Sequence, residues 1–102
     1  LSIDYDQLSP EQFALHQNYP NPFNSITTFH YGLQVDAIVN ITIYDIMGQV
    51  VRTMVDQQQN AGYRSVQWNG TNNTDSPVSA GIYPYKIRAG DLRQTRKMVL
   101  LK

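Results

Sequence analysis

The chain is built of short runs in which Val, Ile, Thr and Tyr alternate with polar residues, each run closed by Gly, Asn, Asp or Pro. Strand side chains alternate faces with a period of two, and turn residues at such short spacing leave no room for the 3.6-residue repeat of a helix. The pattern predicts an all-β fold. In "AIVNITIYDI", Val39, Ile41, Ile43 and Asp45 share one face, and the first three should point inward. "MGQ" then turns the chain at Gly48, and "VVRTMVD" returns with Val51, Thr53 and Val55 opposed to Val50, Arg52 and Met54, which makes a hairpin.

The same reading extends along the chain. "TTFHYGLQ" opposes Phe29, Tyr31 and Leu33 to Thr28, His30 and Gly32, as a half-buried strand does. "QQQNAGY" reads as a polar turn closing at Gly62, after which Arg64, Val66 and Trp68 of "YRSVQW" include the core face, with Arg64 at its edge. "NGTNNTDSPVSAG" is dense in residues that bond their own backbone or tolerate a left-handed conformation, so it is expected to be a surface loop. "IYPYKIRAG" and "LRQTRKMVLLK" close the domain as a hairpin about Ala89, Gly90 and Asp91. The count is about seven strands, an immunoglobulin-like antiparallel β-sandwich. Pro84 cannot donate to a ladder, so its strand is expected at an edge or with a bulge.

A length of 102 residues allows one domain with a single modest core. With 41% hydrophobic and 16% charged residues the bulk is expected to be globular. Formal charge is zero and gives no footprint for nucleic acid or an anionic membrane. No cysteine is present, which excludes a disulfide framework and a thiolate site. No apolar run reaches the roughly 18 to 20 residues that span a bilayer. "LSIDYDQLSP" lacks the order of a signal peptide, so an export signal would lie elsewhere, and a start without Met suits a piece of a longer chain. Residues 1–11 have no sustained periodicity and read as a linker from a preceding domain.

No motif carries catalysis. His16 and His30 do not have metal-ligand spacing, the serines lack a neighbouring base, and there is no phosphate-binding glycine loop. Asp45, Asp56, Asp75 and Asp91 fall at turns, where Asp bonds the local backbone. Asn69, Asn72, Asn73 and Asp75 place oxygen donors at close spacing and form a weak calcium candidate beside the reading as an Asx-rich turn. Rings at Tyr31, Tyr44, Tyr63, Trp68, Tyr83 and Tyr85 could stack on a sugar, although a thin sandwich needs such rings for its core. No cofactor is implied.

"QNYPNPFN" is too rich in proline for a helix or central strand, yet it holds two rings. It is expected to follow an extended path into the sandwich after a short first strand, "FALHQ". Phe23 should plug one end of the core and Tyr19 should cover its rim.

Taken in order, "FALHQNYPNPFNSITTFHYGL", "VNITIYDIMGQVVRTMV", "AGYRSVQWNGTNN", "VSAGIYPYKIRAG" and the closing "KMVLLK" resemble the C-terminal sorting domain, type A, of the type IX (Por) secretion system. The likeness runs from about Phe13 to Lys102. Its matched positions are Pro20, Asn21, Pro22, Phe23, Tyr44, Asp45, Gly48, Gly62 and Trp68, then Gly81, Tyr83, Tyr85, Gly90, Lys97, Met98 and Lys102. Ser25, Asp75, Ala80 and Pro84 depart from the family's pattern.

The resemblance implies a non-catalytic sorting domain over residues 12–102, behind a cargo domain. It would be recognised by an outer-membrane translocon and commonly removed by a surface sortase, leaving the cargo secreted or at the cell surface of a Gram-negative bacterium. The last hairpin, Ile82 to Lys102, is expected to make the contact through strand addition, with Lys97 and Lys102 as its basic end. The Ig-like domain of flagellar hook-capping proteins is similar in its PNPF, YDxxG and WxG patterns. An assembly or carbohydrate-binding module is therefore the alternative, although a last strand that stops at Lys102 favours the sorting domain.

Overall fold

Val39, Ile41 and Ile43 are wholly buried while Ile38, in the same run, is 65% exposed. That contrast fixes which face of the central strand carries the core. The computed structural model describes residues 13–102, and the expected linker at residues 1–11 lies outside them. Seven strands follow in order: β1 (Ala14–Leu15), β2 (Thr27–Leu33), β3 (Ala37–Tyr44), β4 (Val50–Gln59), β5 (Gly62–Trp68), β6 (Gly81–Ala89) and β7 (Leu92–Leu100).

They form two antiparallel sheets, one in the order β1-β2-β5 and the other β4-β3-β6-β7. The all-β sandwich read from the alternation is thus the observed fold. Phe29, Tyr31 and Leu33 of β2 meet Val39, Ile41 and Ile43 of β3, Tyr85 and Ile87 of β6, and Met98 and Leu100 of β7 in a single core. Burying each of the larger apolar side chains is worth about 1.5–3 kcal/mol. The rings interlock within it: Phe29 and Tyr85 lie 4.7 Å apart between centroids, and Trp68 lies 5.7 Å from Phe23 and 5.6 Å from Tyr83.

Three local expectations change. The glutamines at 57–59 are strand rather than turn, because Ala37, Ile38 and Val39 take Gln59, Gln58 and Gln57 as their partners. The register of β3 against β4 shifts between Ile41 and Thr42 and again between Ile43 and Tyr44. Each shift places an extra residue on β4 and breaks the two-residue repeat, so Val55 is buried while Thr53, expected on the same face, is exposed. Finally, β6 is interior and pairs with β7 without a bulge from Gly81 to Ala89. Pro84 is tolerated there because pairing with β3 ends at Tyr85, one residue earlier along the ladder, so no β3 rung is lost.

Candidate functional site: the PNPF loop against the last strand

The PNPF loop does not stand apart from the end of the chain. The N–H of Phe23 donates to Val99 O at 3.0 Å, and the N–H of Leu101 donates to Phe23 O at 2.7 Å. Asn21 Oδ1 accepts the N–H of Val99 at 2.9 Å, and Gln17 Nε2 donates to Lys97 O at 2.8 Å. The outer edge of β7 is therefore occupied from Lys97 to Leu101. Farther along, Gln94 Oε1 accepts the N–H of Leu15 at 3.0 Å and Arg96 Nε donates to Leu15 O at 2.8 Å. Side chains of β7 thereby close the outer edge of β1 as well. The expectation of a free β7 edge for strand addition is corrected by these contacts.

Within the loop a buried polar knot sets the path. Asn18 is 2% exposed and its N–H donates to Tyr85 Oη at 2.9 Å, while its Nδ2 donates to Thr27 Oγ1 at 2.9 Å. Thr27 Oγ1 in turn donates to Pro20 O at 2.8 Å. The Tyr19–Pro20 and Asn21–Pro22 bonds are both cis, a form that X–Pro bonds adopt far more readily than others. Phe23 is buried, as expected for a plug. Tyr19 is 77% exposed and covers no rim, because its backbone pairs with Thr28 at the sheet edge and leaves its ring in solvent. Sequence patterning favoured the ring, whereas the buried partner is Asn18, whose amide can satisfy several groups at once.

The asparagine-rich loop has a parallel position on the opposite edge. Asn73 N–H donates to Val51 O at 3.1 Å, and Asn73 Oδ1 accepts the N–H of Thr53 at 3.1 Å. Asn72 Oδ1 accepts from the backbone of Thr74 and Ser76, and Asn69 Oδ1 accepts from Thr71 Oγ1. Asp75 Oδ1 pairs with Arg52 Nη1 at 2.9 Å. The four oxygens proposed for calcium thus each meet a different protein donor. Among the described residues no group of three or more His, Cys, Asp or Glu side chains is close enough to hold a metal.

The remaining candidates divide into core, turn and surface. Trp68, Tyr85 and Met98 are fully buried, and Tyr83 is nearly so with its Oη donating to Ser79 O at 2.5 Å. Since Tyr31 is buried too, the six rings present no common platform. Asp45 Oδ1 accepts the N–H groups of Met47 and Gln49, and Gly48 at φ 84° completes that turn. Gly62 begins β5, Gly81 begins β6, and Gly90 lies in the β6–β7 turn. Tyr44 is half-buried with Lys86 Nζ 5.8 Å above its ring, while Pro20, Asn21, Pro22, Lys97 and Lys102 are exposed. Burial raises the phenol pKa of Tyr31, Tyr83 and Tyr85.

Charge gathers where the sequence total hides it. Lys86, Arg88, Arg93, Arg96, Lys97 and Lys102 face a single acid, Asp91, between Gly81 and Lys102. Arg88 and Arg93 stand directly opposite each other across the hairpin. The only ion pair among the described residues, Arg52–Asp75, lies elsewhere.

The FlgD Ig-like domain family matches residues 25–92. The chain belongs to that family. A FlgD structure from P. aeruginosa shares the fold of this FlgD-type domain at a TM-score of 0.56 and 24% identity, over 72% of this chain and 58% of that one. Latent dimeric PorU from Porphyromonas gingivalis is similar at a TM-score of 0.71 and 19% identity, over 94% of this chain. PorZ, a surface component of the type IX secretion system of the same organism, is similar at 0.57 and 17% identity, over 88%. The chain spans only 10% of PorU and 11% of PorZ. No curated protein matches it.

Proposed function

We propose that this FlgD-type domain is a non-catalytic C-terminal sorting domain of the type IX secretion system. It follows a cargo domain, is recognised at the outer membrane by the translocon, and is removed by a surface sortase, leaving the cargo secreted or at the cell surface. The observation that carries this reading is the interlock of Asn21 and Phe23 with Val99 and Leu101. The PNPF side of this interlock is common to the sorting and hook-capping patterns, whereas Val99 and Leu101 lie beyond residues 25–92, the part matched by the flagellar family, in the closing KMVLLK motif that resembles the sorting domain. The likeness to PorU and PorZ, over 94% and 88% of this chain, supports the same reading. The basic balance of the last hairpin suits it as the recognised surface.

The test is a reporter joined ahead of the full chain in a bacterium that has a type IX system. Export of the wild-type fusion is expected, together with periplasmic retention of a Lys97→Glu/Lys102→Glu variant. Both side chains are exposed, so the variant keeps the fold, whereas truncation at Lys97 would remove the core residues Met98 and Leu100. Retention of the wild-type fusion would sink the sorting reading and favour the second one, a hook-capping assembly module, which the family match supports. Export of the variant at the wild-type level would sink the hairpin's role alone.

A further inference from the structure

The edges of the two sheets are not treated alike. Asn21, Phe23 and Gln17 occupy the end of β7, Gln94 and Arg96 satisfy Leu15 of β1, and Asn73 covers the first part of β4. Beyond Asn73, β4 is bulged and carries Asp56, and the remainder of β7 carries Arg93. Caps, bulges and charges are the means by which sheets blunt unpaired edges.

β5 has neither cap nor bulge along its outer edge, and its one charged residue, Arg64, is half-buried while Tyr63, Ser65 and Gln67 are exposed. Its seven residues pair with β2 in an unbroken register from Gly62↔Leu33 to Trp68↔Thr27. On β2 the backbone groups of Thr28 and His30 turn toward Tyr19 and His16, on the side away from β5. The alternation then directs Thr27, Phe29, Tyr31 and Leu33 to β5, so Gly62, Arg64, Val66 and Trp68 complete those rungs. The N–H and C=O groups of Tyr63, Ser65 and Gln67 point outward, and among the described residues nothing bonds them. The side chains of these three are uncharged and exposed.

Beside this edge lies a groove of about 250 Å³ bordered by Ile26, Arg52, Met54, Gln67, Trp68 and Asn69. Arg52 is already committed to Thr71, Asn72 and Asp75. Met54 and Val66 are half-buried against the core and offer an apolar floor. At the other end Arg64 donates only to Asn60 O, and no described carboxylate pairs with it.

We propose that β5 is a docking edge that adds one extended segment of a partner polypeptide to the three-stranded sheet. Donors and acceptors that alternate at strand spacing are the complement of an extended backbone and of little else. The inward side chains of the segment read as a carboxylate beside Arg64, followed by apolar groups over Val66 and Met54. This inference does not rest on the export reading, since it uses a different edge and a binding measurement.

The probe is the capped peptide Thr-Glu-Thr-Val-Thr-Ile-Thr, added to the 102-residue chain. Amide exchange of Tyr63, Ser65 and Gln67 should slow by about tenfold or more as their hydrogen bonds form, with Arg64 and Val66 little changed. Ser65→Pro removes an outward N–H without touching the β2 ladder and should abolish the effect. Arg64→Glu should weaken peptide binding by about tenfold through loss of the charge-assisted contact and keeps the test open if the proline variant fails to fold. Unchanged exchange at millimolar peptide would overturn the proposal. So would protection of the same amides without peptide in a concentration-dependent dimer, which would make a second copy of the chain the occupant.

Discussion

Asn21 and Asn73 occupy equivalent places on opposite edges of the four-stranded sheet. The Oδ1 atom of each accepts an outward N–H of an edge strand, from Val99 at 2.9 Å and from Thr53 at 3.1 Å. An amide side chain on a loop satisfies the edge without extending the sheet, and so opposes pairing with another chain.

The double variant Asn21→Ala/Asn73→Ala should lose about 1–3 kcal/mol in urea unfolding, because each edge gives up a hydrogen bond that water only partly replaces. Light scattering should show association at concentrations where the parent chain is monodisperse. A variant that is less stable yet equally monodisperse would show that the amides stabilise the loops without guarding the edges.

Phe23 and Tyr19 occupy one loop and should behave oppositely. Phe23 is 2% exposed against Trp68, so Phe23→Ala should cost about 3–5 kcal/mol. Tyr19→Ala should stay within about 0.5 kcal/mol, as surface changes generally do. Urea midpoints at a common slope check both values.

Alkaline pH should unfold the domain through its buried phenols. In Tyr85 burial raises the pKa against the lowering effects of the Asn18 N–H and Arg96, and in Tyr31 burial outweighs Gln59 and Arg64. The unfolded chain ionises these groups at the ordinary value of 10.0, so it releases protons first. Stability is then fully present below that value and falls as pH rises toward and through the raised folded values. Urea midpoints across that range should show the decline, and Tyr85→Phe should flatten it while lowering stability near neutral pH.

Asp75 sits at φ 63°, in the left-handed region, and holds an ion pair with Arg52 that is 81% exposed on the Asp75 side. Relief of the backbone by Asp75→Gly is worth about 1 kcal/mol and loss of so exposed a pair about 0–1 kcal/mol. The two should nearly cancel, and thermal unfolding should move by only a few degrees. Arg52→Ala should cost more, since it also frees Thr71 and Asn72 O.

Legibility of the sequence followed the period-two signal. Where one face was buried without interruption, as in β2 and β3, the inward residues could be named in advance. Where bulges inserted extra residues in β4, the same rule misplaced Thr53, because periodicity carries no mark of a register shift. The Gln tract looked like a turn by composition and became strand because β3 needed partners there. Pro84 shows that a proline constrains the rung and not the whole strand. The local sequence could not reveal that Asn18 meets Tyr85, Asn21 meets Val99 and Asn73 meets Thr53, since those partners lie far away along the chain.

The interlock of the PNPF loop with β7 also orders events in time. Leu15 depends on Gln94 and Arg96, and Phe23 on Val99 and Leu101, across most of the chain. A ribosome delivering the amino end first leaves Leu15 held by β2 alone until Arg96 has emerged, and Phe23 without its backbone partners until Val99 and Leu101 follow. The domain therefore closes late, and a chain that stops short of Val99 leaves Phe23 without its backbone partners and that end of the sandwich open.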